Sequence, residues 1–166
     1  MTARYGREKK CGDQPVNIAI RKMKESDFDS LHTLLSDAEV MKYLEPPFTE
    51  EQTGKFLAQA LSETPRVLAA EHDGRFIGYV IYGPYEEDTM ELGWVLQPEY
   101  WNRGYASALT EMLMEKAAAE GRKPVIECDP GQAVTRHIAE KYGFRYIEAR
   151  GDLEVYRLPE QEDQKH

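Results

Sequence analysis

Residues 90–117, MELGWVLQPEYWNRGYASALTEMLMEKA, decide the fold. Met90, Leu92, Trp94 and Leu96 alternate with Glu91, Gly93 and Val95, which is the two-residue period of a strand, and Pro98 ends it. From Gly104 onward Ala108, Leu109, Met112, Leu113 and Ala117 recur at three and four residues, predicting an amphipathic helix that stops at Gly121. A strand therefore runs through a glycine-containing loop straight into a helix. The free N–H groups of such a helix start, together with its dipole, can hold a phosphate. Gly104 permits close approach of the backbone, and the small Ala106 and Ser107 keep the entrance uncrowded. Neither the GxGxxG fingerprint nor the Walker pattern is present, so spacing alone gives a generic anion site.

Upstream, Asn17 to Arg21 reads as a strand, followed by the cap chemistry of Glu25-Ser26-Asp27 and the helical spacing of Phe28, Leu31, Leu34 and Leu35. A further helical turn at Val40, Met41 and Leu44 ends at Pro46-Pro47, and Thr49 opens a helix reaching Leu61. Arg66 to Glu71 and Phe76 to Tyr82 form a hairpin around Asp73-Gly74, with Gly83-Pro84 read as a turn carrying Tyr82 and Tyr85. Downstream come a strand at Pro124 to Cys128, a helix opened by Asp129-Pro130, and strands at Phe144 to Ile147 and Leu153 to Leu158. In that helix Val134, His137, Ile138 and Tyr142 are expected on one packed face. The order implies an α/β or α+β sheet covered by helices, with a strand-helix-strand crossover. Residues 1–16 and 159–166 are polar and aperiodic and read as a mobile leader and a tail around one domain, residues 17–158.

The 166 residues suit a single domain. With 30 acidic and 21 basic residues the formal charge is −9, which argues against a nucleic-acid or anionic-membrane surface and favours a cationic, amine-bearing partner. Cys11 and Cys128 give neither a disulfide framework nor zinc spacing, the histidines form no HExxH, and so neither a metal nor an oxidising compartment is expected. No stretch is apolar enough to span a membrane, and Met1 to Asp13 lacks a signal-peptide core, so a cytoplasmic setting is expected.

The segments ELGWVLQPEYWNRGYASAL and DPGQAVTRHIAEKYGF, in this order and separation, resemble the GNAT superfamily of N-acetyltransferases, and within it the RimJ/RimL-like branch that acetylates protein N-termini. The resemblance covers residues 17–158. It implies a central, mixed, mostly antiparallel twisted sheet flanked by helices and split at an acetyl-CoA site. The family's pyrophosphate loop falls on Trp101, Asn102, Arg103, Gly104, Tyr105 and Ala106, with Ser107 following. Asn102 stands where the branch often has Gly, and Asn tolerates left-handed backbone. The resemblance also implies a bulge around Trp94, Val95 and Leu96, whose splayed backbone pairs with pantetheine and offers an oxyanion donor. The family's Asn-x-x-Ser becomes Gln132, Ala133, Val134 and Thr135, which puts Gln132 at the pantetheine contact. Ala139 occupies the place of a general-acid Tyr found in many members, and Tyr142 does not inherit that role.

The resemblance thus implies direct transfer of acetyl from acetyl-CoA to a primary amine, a protein N-terminus or a small molecule, by a monomer or homodimer. Glu91, on the strand beside the expected thioester, is the candidate base, against the alternative of a solvated strand carboxylate. Thr135 is the candidate donor to the leaving thiolate, against a plain surface hydroxyl. The competing readings are a non-catalytic acyl-CoA-binding module and, disfavoured by the missing fingerprint, a dinucleotide-binding protein.

Overall fold

The computed structural model describes residues 5–7 and 17–160. The strands are β1 (Tyr5–Arg7), β2 (Ile18–Arg21), β3 (Val67–His72), β4 (Arg75–Glu86), β5 (Thr89–Leu96), β6 (Lys123–Cys128), β7 (Arg145–Arg150) and β8 (Leu153–Arg157). The helices are α1 (Phe28–Leu35), α2 (Ala38–Met41), α3 (Glu50–Ala60), α4 (Tyr105–Ala119) and α5 (Ala133–Lys141). One sheet forms in the order β1-β2-β3-β4-β5-β6-β8-β7. Its neighbours are antiparallel except β5 and β6, which are parallel and joined by the α4 crossover. Among the described residues no helix is long and apolar enough to cross a membrane.

Alternation along the strands sorts the core onto two faces. Ile18, Ile20, Val80, Met90, Leu92 and Leu96 pack with Leu109, Met112 and Leu113 of α4. Ala69, Tyr79 and Val95 face the other way, toward Leu31, Leu34 and Leu35 of α1, Val40 and Met41 of α2, and Leu57 of α3. Leu109 and Leu113 are fully buried, and each such side chain stabilises the fold by ~1.5–3 kcal/mol, which fixes the start of α4 against β5. Where β2 meets the first helical layer, the buried Arg21 guanidinium holds both Asp27 oxygens at 2.8 Å and also binds Glu71 of β3. Local chemistry sets several boundaries. Asp73 and Gly74 both take positive φ, 52° and 80°, as the tight β3–β4 turn requires. Thr49 and Gln52 form a capping box on α3.

The structure departs from the sequence reading at four places. Tyr5–Arg7, inside the expected leader, pair with Ile18–Ile20 as an edge strand, whereas residues 1–4, 8–16 and 161–166 lie outside the described residues. Gly83-Pro84 do not turn the chain: β4 continues to Glu86 through a bulge between Pro84 and Glu86. Proline is tolerated there because β3 ends its pairing at Ile81, leaving that edge of β4 without a ladder partner. Asp129 does not open α5. Its carboxylate accepts the N–H of Gly131 at 2.8 Å, an Asx turn that competes with helix, so α5 begins only after Gln132. His137 is exposed, and Ile138 and Ala139 form the buried face of α5.

Candidate functional site

The sheet opens between β5 and β6. Their parallel ladder holds only Thr89↔Lys123, Met90↔Pro124 and Glu91↔Val125. Past Glu91, β5 stays with β4 as far as Leu96, while β6 turns to β8 through Ile126↔Tyr156, Glu127↔Val155 and Cys128↔Glu154. Leu92–Leu96 therefore expose one backbone edge to the gap, and backbone groups there need a partner from outside the sheet. No bulge lies at Trp94–Leu96, contrary to expectation: the β4 register is regular from Gly78↔Leu96 to Pro84↔Met90. The opening comes from divergence of the two strands. Gly78 keeps β5 tight on β4, because a Cβ there would collide with the carbonyl oxygen of Val95.

The open end of β5 leads into the loop. Trp101 closes the strand by donating its indole N–H to the Leu96 carbonyl at 2.8 Å. Asn102 and Gly104 are both left-handed, with φ of 58° and 87°, so Asn102 adopts the conformation its chemistry allows. Arg103 donates to the Glu99 carbonyl at 2.9 Å and lies over the rings of Tyr100 and Tyr105. The Tyr105 ring is itself buried, edge-on to His72, so only its backbone belongs to the loop surface. The first bond into α4 runs from the Ala108 N–H to the Gly104 carbonyl at 3.1 Å. That leaves the N–H groups of Tyr105, Ala106 and Ser107 without helical acceptors, at the positive end of the helix dipole and beside an exposed loop. These amides fit a diphosphate. Tyr142 braces α5 on this turn, its hydroxyl lying 3.2 Å from the Ser107 carbonyl and 2.8 Å from Glu111.

Glu91 sits at the last paired position before the gap and shares the α1–α3 face with Gly93 and Val95. Its side chain is 19% exposed, and Arg66 donates to it at a long 3.3 Å. Burial and then the charge of Glu127 push the Glu91 carboxyl above the usual glutamate range, against the pull of Arg66. Glu127, two residues beyond Glu91's partner Val125 on β6, accepts the Tyr85 hydroxyl at 2.5 Å. Burial and this bond push the Tyr85 phenol up to about 12. Arg150 lies over the Tyr85 ring and pairs with Glu86 at 2.7 Å and Glu148 at 2.9 Å, which makes a charged rim. Tyr82, expected beside Tyr85, instead belongs to the opposite core and donates to Glu120 at 2.6 Å. Sequence reading passed over Glu127, yet a carboxylate inside the apolar run Val125-Ile126-Glu127-Cys128 was the available signal.

Beyond the C-terminal end of β6, Gln132 turns its side-chain oxygen back to the Asp129 N–H at 2.8 Å. Thr135 is half-buried in the first turn of α5. Gly131, between β6 and α5, lies so close to the Tyr43 ring that a Cβ would sit 2.5 Å from Cε1. The segment between α2 and α3 thus reaches across to the β6–α5 loop.

The fold has counterparts among known proteins. A family model described as an acetyltransferase (GNAT) domain matches residues 17–145. The chain belongs to the GNAT acetyltransferase family. It is 30% identical over 135 residues to an uncharacterized N-acetyltransferase, YnaD, of Bacillus subtilis (strain 168), covering 77% of this chain and 79% of that one. A GNAT-family acetyltransferase structure from Bacillus anthracis superposes with a TM-score of 0.76 at 26% identity, over 84% of this chain and 92% of the other. A spermidine N-acetyltransferase from Vibrio cholerae, solved with CoA and spermine, shares the fold with a TM-score of 0.70 at 18% identity, over 84% and 92% of the two chains. The GNAT assignment makes this protein an acetyl-CoA-dependent N-acetyltransferase.

Proposed function

We propose that this GNAT enzyme acetylates a primary amine that enters from the α1–α3 face of the split, with Glu91 as its base. The observation that carries the reading is the place of Glu91, the last residue of β5 paired to β6 before the strands part. The backbone amides of Asn102 to Ser107 hold the pyrophosphate, and Trp101 and Arg103 shape that loop. The open edge at Trp94, Val95 and Leu96 takes the pantetheine and supplies an oxyanion donor, with Gln132 on the facing side. Acetyl-CoA contributes an acetyl group activated as a thioester.

Amines are mostly ammonium at neutral pH, so one proton must leave before nitrogen can attack. Glu91 receives it. The N–C bond then forms at the acetyl carbonyl as the C–S bond breaks, and the second proton shed by the nitrogen passes through the Thr135 hydroxyl to the departing sulfur, leaving the amide and the CoA thiol. The acceptor class follows from the surroundings: Glu91 and Glu127 present negative charge to an ammonium. The RimJ/RimL-like motifs favour a protein N-terminus, while the Vibrio cholerae structural neighbour acts on spermidine. Both are amines that reach the site as cations.

The test is a panel of spermidine, short peptides with free N-termini and amino acids, incubated with acetyl-CoA while free thiol is monitored. At least one amine is acetylated, and Glu91→Gln lowers kcat for it by ~10²–10⁴ with CoA affinity retained. Tight CoA binding with no transfer to any amine would instead support the acyl-CoA-binding module.

A further inference from the structure

We propose that Glu127, held by Tyr85, is a positioning residue for the acetyl transfer: it sets a second carboxylate beside Glu91 that keeps Glu91 receptive to the acceptor's proton. The proposal rests on Glu91 being the base. Three observations carry it.

The first is register. Glu91 is paired with Val125, and strand alternation puts Glu127 on the same face of β6, one diagonal step away, where the strands begin to part. The two carboxylates thus flank the entrance from opposite sides of the split. The second is restraint. The Tyr85 hydroxyl, on β4, donates to Glu127 Oε2 at 2.5 Å, and Tyr85 is itself clamped by Arg150 and Arg157, whose guanidiniums lie 5.0 and 5.7 Å from its ring centre. Glu127 is therefore held on the site side of the sheet and cannot swing away without breaking that contact. The third is charge pairing. Arg150 and Arg157 pair with Glu86 and Glu148 on the rim, Arg150 reaches no further than the Tyr85 hydroxyl at 3.1 Å, and Glu127 itself is bound by a neutral phenol rather than a cation. Its charge is left to act across the split.

The charged and titratable groups facing Glu91 are Arg66, from the segment before β3, and Glu127, from β6. Their effects oppose each other. Arg66 favours the ionised form of Glu91, while Glu127, a like charge, disfavours it and so raises the carboxylate's basicity. Burial acts in the same direction as Glu127. A carboxylate drawn toward neutrality in this way is a better proton acceptor at physiological pH than an ordinary glutamate.

The experiment follows the Glu91 side-chain carboxyl by 13C NMR in glutamate-labelled protein without ligands. Its signal is assigned by its loss in Glu91→Gln. Glu127→Gln is expected to lower the Glu91 midpoint by about half to one pH unit, the scale of a like charge one diagonal step away at a partly exposed site. Glu127→Asp, which keeps the charge, holds the midpoint within ~0.3 units of wild type. With the best acceptor from the amine panel, the acid limb of kcat/KM moves down in Glu127→Gln by the same amount, while CoA affinity is unchanged. A Glu91 midpoint and limb that stay in place in Glu127→Gln would overturn the proposal. If Glu127→Gln fails to fold, Glu127→Ala removes the same charge, and an unmoved Glu91 midpoint in that variant overturns it equally. Failure of the underlying reading looks different: Glu91→Gln would then retain full turnover, whatever Glu127 does to the titration.

Discussion

Arg66 is the counterweight in this site, and its removal gives a prediction with a definite sign. Arg66→Gln deletes the only cation in contact with Glu91, at 3.3 Å, among the described residues. Two unit charges at that distance attract by about 1 kcal/mol at the dielectric constant of water and about 5 kcal/mol at an effective constant of 20. Arg66 is 52% exposed and Glu91 19%, so solvent screens the pair and the lower end applies. At about 1.4 kcal/mol per pH unit, the Glu91 midpoint should rise by about half to one unit. The acid limb of kcat/KM follows upward, so that activity on that limb falls about three- to tenfold at a fixed pH while the plateau at higher pH is kept. The stability consequence has the same origin. A carboxyl whose folded pKa lies above its unfolded value adds stability that is complete below the unfolded pKa and is lost as pH rises through the folded one. Arg66→Gln enlarges that loss, so its deficit in melting temperature appears at neutral pH and closes below about pH 4. Rate profiles from pH 5 to 9 and melts at pH 4 and 7 measure both. A limb that stays put, or moves down, would refute the placement of Arg66 as the group that holds Glu91 ionised.

Two further outcomes test the cofactor loop and the scaffold behind it. Gly104→Val forces a β-branched residue into φ of 87°, at a cost of at least ~1–2 kcal/mol, and should weaken CoA binding by about tenfold or more by calorimetry while lowering the melting temperature in the absence of CoA by only a few degrees. Arg21→Met removes the guanidinium that the buried Asp27 and Glu71 carboxylates share and should cost about 3–5 kcal/mol in urea unfolding at pH 7. Burial alone would raise the Asp27 carboxyl, but the Arg21 bonds and the Lys24 N–H bring it below the usual range. The Asp27 contribution is present above the unfolded aspartate pKa and is lost as pH falls through the folded one, so the gap between wild type and variant narrows below about pH 4.

What could be read from sequence was what local rules determine. The alternation from Thr89 to Leu96 and the helical spacing after Gly104 gave β5 and α4 with boundaries close to those observed, and Asn102 took the left-handed backbone its side chain tolerates. Errors arose where a distant partner decides. Pro84 looked like a turn because nothing in sequence says that β3 has already ended beside it. Asp129 looked like a helix cap because its competing bond to the Gly131 N–H depends on how the β6–α5 loop folds. Tyr82 and Tyr85 looked equivalent, yet the β4 pleat sends one to the α4 core and the other to Glu127. Glu127 itself is visible as a charge in a buried strand, but only the β5–β6 register shows that it faces Glu91.

That register also explains why one short segment can organise both halves of the reaction. In β5 the side chains of Glu91 and Val95 point to the α1–α3 face, while the strand's free edge runs along the split from Leu92 to Leu96. At about 3.4 Å per residue the edge extends ~17 Å from Glu91 to the strand end. There Trp101 ties the loop to Leu96, and Gly104 hands the chain to α4 with its first amides uncommitted. The Glu91 carboxylate, the backbone edge and the first amides of α4 are thus spaced by strand and helix geometry. Face and edge are coupled by the pleat: a one-residue slip of β5 would turn Glu91 toward the α4 core and leave the open edge without its carboxylate. The buried Met90, Leu92 and Leu96, packed on α4, make that slip costly, so the hydrophobic core on one face enforces the chemistry on the other.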